Sequence, residues 1–136
     1  VPSFVFSREG FIAGVPILEK LAEYDVCLIV LAGFMNKISD VILQAFPGKI
    51  VNIHPALLPK YGGKGMYGMH VHEAVVKAGE RESGITIHYI NEHYDEGAII
   101  FQASCPVLPS DTPEEVASKV HALEYAHYPH VIESLL

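Results

Sequence analysis

Apolar residues come in runs along this chain, and the runs differ in kind. DVCLIVLAG (25–33) and KIVNIHP (49–55) are continuous apolar stretches of strand length. Strands buried on both faces read this way, and they belong to parallel sheets covered by helices. Between them, Ser39 stands where a cap would open a helix over SDVILQAF, and PGK turns the chain into the second strand. A strand, a crossover helix and a strand predict a parallel, adjacent pair. VPSFVF (1–6) predicts a short strand, and the segment after it a helix that starts near Pro16 and runs through ILEKLAEY.

The second half alternates differently. LPKYGGKGMYG (58–68) carries four glycines and predicts a loop beside any site, and HVHEAVVKAG predicts a helix ended by Gly79. GITIHYI and GAIIFQASCPV predict two strands joined as a hairpin through NEHYDE. Thr112, Pro113 and Glu115 form a capping box signature for the last helix, whose apolar positions Val116, Val120 and Leu123 recur at helical spacing. Pro129 is expected to kink or break that helix before HVIESLL.

Half of the 136 residues are hydrophobic, which suits one soluble domain with its own core. The net charge of −7, with only nine Lys and Arg, argues against a nucleic-acid surface and for a small ligand. No apolar span is long enough for a membrane, and no signal sequence is visible. Cys27 and Cys105 have no spacing that suggests metal or redox chemistry, so both read as reduced packing residues and the compartment as cytoplasmic.

Candidate chemistry gathers at the end of KIVNIHP. Residues two apart on a strand share a face, so Asn52 and His54 point one way and Val51 and Ile53 the other. Open α/β sheets bind ligands at the carboxyl ends of their strands. An amide N–H and an imidazolium N–H are convergent donors for an oxygen that gains negative charge, which points to acyl or formyl transfer. The pattern equally admits Asn52 as a turn cap and His54 packed on Pro55. Asp95, in HYDEG, is the carboxylate able to favour an imidazolium and take the proton of an attacking amine, although an Asp there also suits a turn. The eight histidines, among them His70, His72, His88 and His93, match no zinc signature and read mostly as surface or loop residues.

The runs DVCLIVLAGFM, KIVNIHPALLPKY, GITIHYINEHYDEGAIIFQASCPV and EYAHYP, in this order, resemble the phosphoribosylglycinamide formyltransferases of de novo purine biosynthesis over essentially the whole chain. The resemblance implies an α/β fold with an open, mainly parallel, Rossmann-like sheet flanked by helices. It implies transfer of a formyl group from the co-substrate 10-formyltetrahydrofolate to the amine of glycinamide ribonucleotide, without a metal. By the same resemblance Asn52 holds the formyl oxygen, His54 is the general acid, and Asp95 keeps His54 protonated and relays the amine proton. Met35, Asn36, Lys37 and Ile38 line the formyl-folate pocket, and Asn91, Glu92, His93, Tyr94 and Asp95 lie against the pterin ring. Arg8 stands near the folate tail. The segment His121, Ala122, Leu123 and Glu124 binds the nucleotide substrate, with Glu124 the best match. The partners implied are these two small molecules, with neither nucleic acid nor membrane, and a homodimer is a further expectation.

The chain departs from the family pattern at its start. Family chains open with a strand and a Gly-rich, GSGTN-like loop for the nucleotide phosphate, and here the likeness begins at the third strand. The expectation is a single catalytic domain over 1–136 that is an N-terminally truncated fragment, lacking the strands that lie between VPSFVF and VCLIVLAG. Alone, such a fragment is expected to bind folate weakly and the nucleotide poorly or not at all. Gly62 to Gly68 is also longer than in many members. The alternatives are formyltetrahydrofolate deformylase, which shows a second His where this chain has Pro55, and methionyl-tRNA formyltransferase, which would carry more basic charge. From other classes come a folate-binding remnant without activity and a metal hydrolase built on the histidines.

Overall fold

The computed structural model describes residues 2–33, 37–91 and 97–136. Its centre is a four-stranded sheet in the order β1 (Ile29–Leu31), β2 (Ile50–His54), β3 (Glu82–Tyr89) and β4 (Ile99–Pro106). β1 and β2 are parallel, with Ile29 opposite Ile50, as the crossover predicted. β2 with β3 and β3 with β4 are antiparallel, so the described sheet is mixed rather than mainly parallel. The reason lies in the connections. The chain re-enters the sheet beside β2 from the opposite end, and β4 then returns as a hairpin.

β2 is an interior strand, and all five of its residues are buried. Ile50 and Ile53 fall on opposite faces because they are three apart. Ile50 joins Leu31, Ile38 and Ile42 in one core cluster. Ile53 joins Val71, Val75, Ile85, Ile87, Val116 and Val120 in the other. The second cluster is closed by α4 (Met69–Lys77) and the long α5 (Pro113–Leu135), and the first by α2 (Val15–Glu23) and α3 (Asp40–Ala45).

Local chemistry explains the ends of these elements. The Thr112 hydroxyl accepts from the Glu115 amide while Glu115 reaches back to Thr112, the predicted capping box, worth about 1 kcal/mol. Gly79 sits past α4 at φ 69°, a conformation costly to other residues.

Several expectations need correction. Residues 2–6 form no strand, because no described strand lies beyond β1 to pair with them, and Val5 is 99% exposed. Phe4 instead packs on Tyr24 and under the Lys20 ammonium. A helix α1 (Arg8–Ala13) that the pattern did not predict follows, capped by Ser7, whose hydroxyl accepts from the Gly10 amide at 3.0 Å. Of the run VCLIVLAG only Ile29–Leu31 is strand, and it is an edge among the described residues, leaving Val30 partly exposed and Cys27 at the surface rather than packed. Ser39 occupies the N-cap of α3 without a side-chain bond. Pro129 does not end α5, which runs through it. The carbonyl left without a helical donor belongs to Tyr125, an exposed residue, where water can serve. His72 and His88, expected at the surface or in loops, are buried.

Candidate functional site

β2 ends in Asn52 and His54, 8% and 4% exposed, at the wall of a cavity of about 1100 Å³. Ala32 and Gly33 after β1, the glycine loop from Gly63 to Gly68, His72 of α4, and His121, Glu124 and Tyr128 of α5 complete that wall. The opening lies where β1 and β2 both stop, so the strand ends and the two helices face one ligand space.

The Asn52 amide has a defined orientation. His88 is its partner in the β2–β3 register. The His88 Nδ1 is 3.0 Å from the Tyr89 carbonyl, which only accepts, so Nδ1 carries the proton and Nε2 presents a lone pair. Nε2 in turn lies 3.4 Å from the Asn52 Nδ2, which therefore donates. One Asn52 N–H remains for a ligand, and Oδ1 is buried with no hydrogen-bond partner among the described residues. A buried, unpaired acceptor on a cavity wall costs about 1–3 kcal/mol unless a ligand satisfies it.

His54 is held by the loop that follows it. Its Nε2 lies 2.6 Å from the Tyr61 carbonyl, which only accepts, so Nε2–H is the donor. The loop itself is clamped from β3 and β4. The Thr86 hydroxyl donates to the Ala56 carbonyl at 2.7 Å and accepts from the Leu58 amide and from Gln102. Tyr61 is anchored further by its phenol, which donates to Glu80 at 2.9 Å. Burial first, and the Glu80 carboxylate next, push the Tyr61 phenol up.

Facing these donors, Glu124 is pushed up by burial, partly offset by His121. His72 is held below its ordinary value of 6.5 by burial first, then by His121 and His54. Its Nδ1 is buried without a hydrogen-bond partner among the described residues. The Tyr128 phenol, also pushed up by burial, donates to the Leu31 carbonyl at 2.7 Å and so ties α5 to the end of β1.

The structure brings Lys37, Asn52, His54, His121 and Glu124 to one cavity. Ile38 is buried in the core against Leu31 and Ile42, and Leu123 packs toward the other cluster. Ala122 lies outside the main cavity, in a shallow groove between α4 and α5. Arg8 is exposed on α1, away from the cavity, and Asn91 is half-buried just past β3. Met35, Asn36, Glu92, His93, Tyr94 and Asp95 lie outside the described residues. His72, His88 and Tyr128 were missed as site residues. His88 had a signal, since it alternates with Thr86 on a strand beside β2. Among the described residues no three His, Cys, Asp or Glu side chains converge to hold a metal, and no helix is long and apolar enough to cross a membrane.

A family model described as formyl transferase matches residues 3–132. The chain belongs to the formyl transferase family. Among curated relatives, the chloroplastic phosphoribosylglycinamide formyltransferase of Arabidopsis thaliana is 46% identical over 119 residues, covering 88% of this chain and 41% of the plant protein. The phosphoribosylglycinamide formyltransferase of Bacillus subtilis is 40% identical over 140 residues, covering all of this chain and 69% of that protein. The crystal structure of glycinamide ribonucleotide transformylase 1 from Geobacillus kaustophilus superposes with a TM-score of 0.89 at 37% identity, over 100% of this chain and 72% of that one. The chain thus spans less than half the length of its plant relative and about 70% of these two bacterial proteins.

Proposed function

We propose that the protein transfers the formyl group of 10-formyltetrahydrofolate to the amine of glycinamide ribonucleotide; the acceptor and the group moved are those in its relatives' name, phosphoribosylglycinamide formyltransferase. One observation carries the reading: two hydrogen-bonding side chains, Asn52 and His54, end β2 together and line a single cavity with Glu124.

In this reading the substrate amine attacks the formyl carbon, and the carbonyl π electrons move onto oxygen. The remaining N–H of Asn52 and a proton on His54 Nδ1 meet that oxygen as it becomes anionic. Preorganisation is what makes such donors effective, and both side chains are already fixed, one by His88 and the other by Tyr61. The unpaired Asn52 Oδ1 suits an N–H of the attacking amine. Glu124 supplies the negative charge that would hold the amine end of the acceptor. Asp95 is assigned the proton lost by the attacking nitrogen, and collapse of the tetrahedral adduct breaks the bond to the folate nitrogen, which is reprotonated.

The cavity suits such a pair of substrates. Its volume is at the upper end of small-molecule sites, and Met66, Tyr125 and Tyr128 offer apolar faces to a flat ring. Lys37 brings a positive charge that a folate glutamate tail or a phosphate would use. A cytoplasmic location and a homodimer belong to the same proposal. The test is to follow conversion of the formyl folate by absorbance, with and without glycinamide ribonucleotide. Turnover that requires the amine supports the reading. Equal turnover without it indicates a deformylase and refutes it.

A further inference from the structure

Tyr61 combines three features that packing alone does not require. It is a non-glycine residue at φ 58°, a left-handed conformation that costs side-chain-bearing residues about 1 kcal/mol or more. Its carbonyl receives the Nε2 proton of His54 at 2.6 Å. Its phenol is bonded at 2.9 Å to Glu80, just past the end of α4, and Lys60 approaches the same carboxylate at 3.5 Å. Tyr61 does not line the cavity; its ring packs against the core.

We infer that Tyr61, anchored through its phenol by Glu80, is a positioning residue that fixes the tautomer and ring orientation of His54. The argument is geometric. A carbonyl can accept a proton but never donate one, so a rigid carbonyl at Nε2 leaves Nδ1 as the acid–base nitrogen. The carbonyl meets His54 Nε2 with Tyr61 in a left-handed backbone. The side-chain bond to Glu80 offsets the strain and holds the peptide there. Thr86 fixes the start of this loop from the sheet, and Glu80 fixes its end from the helix. The inference rests on the proposed role of His54 in formyl transfer.

The experiment has two readouts. Long-range proton–nitrogen NMR of the imidazole, with His54 assigned through His54→Gln, is recorded at a pH where the ring is neutral. Formyl-transfer kinetics are measured on the same variants. The unaltered protein is expected to show the Nε2–H tautomer. Tyr61→Phe and Glu80→Ala each remove the anchor. Each is expected to give a mixture of tautomers and a kcat lower by roughly tenfold, with KM for formyl folate within about twofold. The double variant is expected to be no worse than either single one, because both break one connection. Glu80→Gln keeps an acceptor for the phenol and is expected to restore the single tautomer and most of kcat.

An Nδ1–H tautomer in the unaltered protein overturns the inference. So does a tautomer and kcat unmoved in both Tyr61→Phe and Glu80→Ala, or a lowered kcat with no change at the His54 nitrogens. The NMR arm needs no turnover, so it reads the tautomer even if formyl transfer itself is not found.

Discussion

Removing one oxygen atom from Tyr128 should loosen the cavity from the side opposite the strand ends. The Tyr128 phenol is buried and donates to the Leu31 carbonyl at 2.7 Å, 97 positions away along the chain. Leu31 ends β1, and Tyr128 lies one helical turn after Glu124 on α5. Tyr128→Phe keeps the ring and its packing and leaves the Leu31 carbonyl without this donor. An unsatisfied buried acceptor costs about 1–3 kcal/mol. For a chain of this size that lowers Tm by roughly 3–12 °C. The same bond sets how closely α5 approaches β1, so the acceptor subsite should suffer more than the donor subsite. The expected kinetic result is a KM for glycinamide ribonucleotide higher by roughly tenfold, with KM for formyl folate little changed. Thermal melts by circular dichroism and steady-state kinetics on one preparation measure both. An unchanged Tm together with an unchanged acceptor KM would refute the argument that this hydrogen bond fastens the helix to the site.

Other perturbations reach different parts of the account. His54→Ala and Asp95→Asn should each lower kcat by orders of magnitude while formyl-folate binding, followed by fluorescence, survives; full turnover in either removes that residue from the mechanism. His72 is held below 6.5, so between its folded value and 6.5 the unfolded chain binds the extra proton. Its contribution is therefore present above 6.5 and is lost as pH falls through that window. Glu124, raised from 4.5, contributes with the opposite sign just above that value, so urea midpoints of His72→Gln against the unaltered protein isolate the histidine. The variant should show a flatter pH dependence as the pH falls below 6.5, and an unchanged slope contradicts the assignment. Gly84→Ala would drive a methyl group into the Ala103 carbonyl on the neighbouring strand. It should cost roughly 3 kcal/mol or more in urea unfolding, and a near-neutral effect would show that the β3–β4 pairing differs from the one described.

The parts of the fold that were legible in the sequence are those decided locally. The β3–β4 hairpin follows from two apolar runs around a polar loop, and the start of α5 from Thr112, Pro113 and Glu115. The parallel β1–β2 pair follows from a buried run on each side of a short helix. What was not legible depends on neighbours. VPSFVF has strand composition, but a strand exists only where another offers hydrogen bonds, and no described strand lies beyond β1. Pro129 reads as a break, yet the carbonyl it abandons lies at an exposed turn, so the helix continues. The site divides in the same way. Asn52 and His54 could be picked out by strand alternation and position. Glu124 came only through family resemblance, because nothing within α5 distinguishes it from Glu133. His88 acquires its role through the register that sets it opposite Asn52, and Tyr61 through a backbone conformation that no sequence pattern announces.

The central claim is that Asn52 and His54 complete a formyl-transfer site that uses an amine acceptor. It is tested most directly by incubating the protein with isotopically labelled 10-formyltetrahydrofolate and glycinamide ribonucleotide and identifying the labelled product by mass spectrometry, with Asn52→Ala and His54→Ala in parallel. The account predicts label on the nucleotide amine in the unaltered protein and its near-complete loss in both variants. Label released as formate regardless of the nucleotide, or transfer undiminished in either variant, would contradict it.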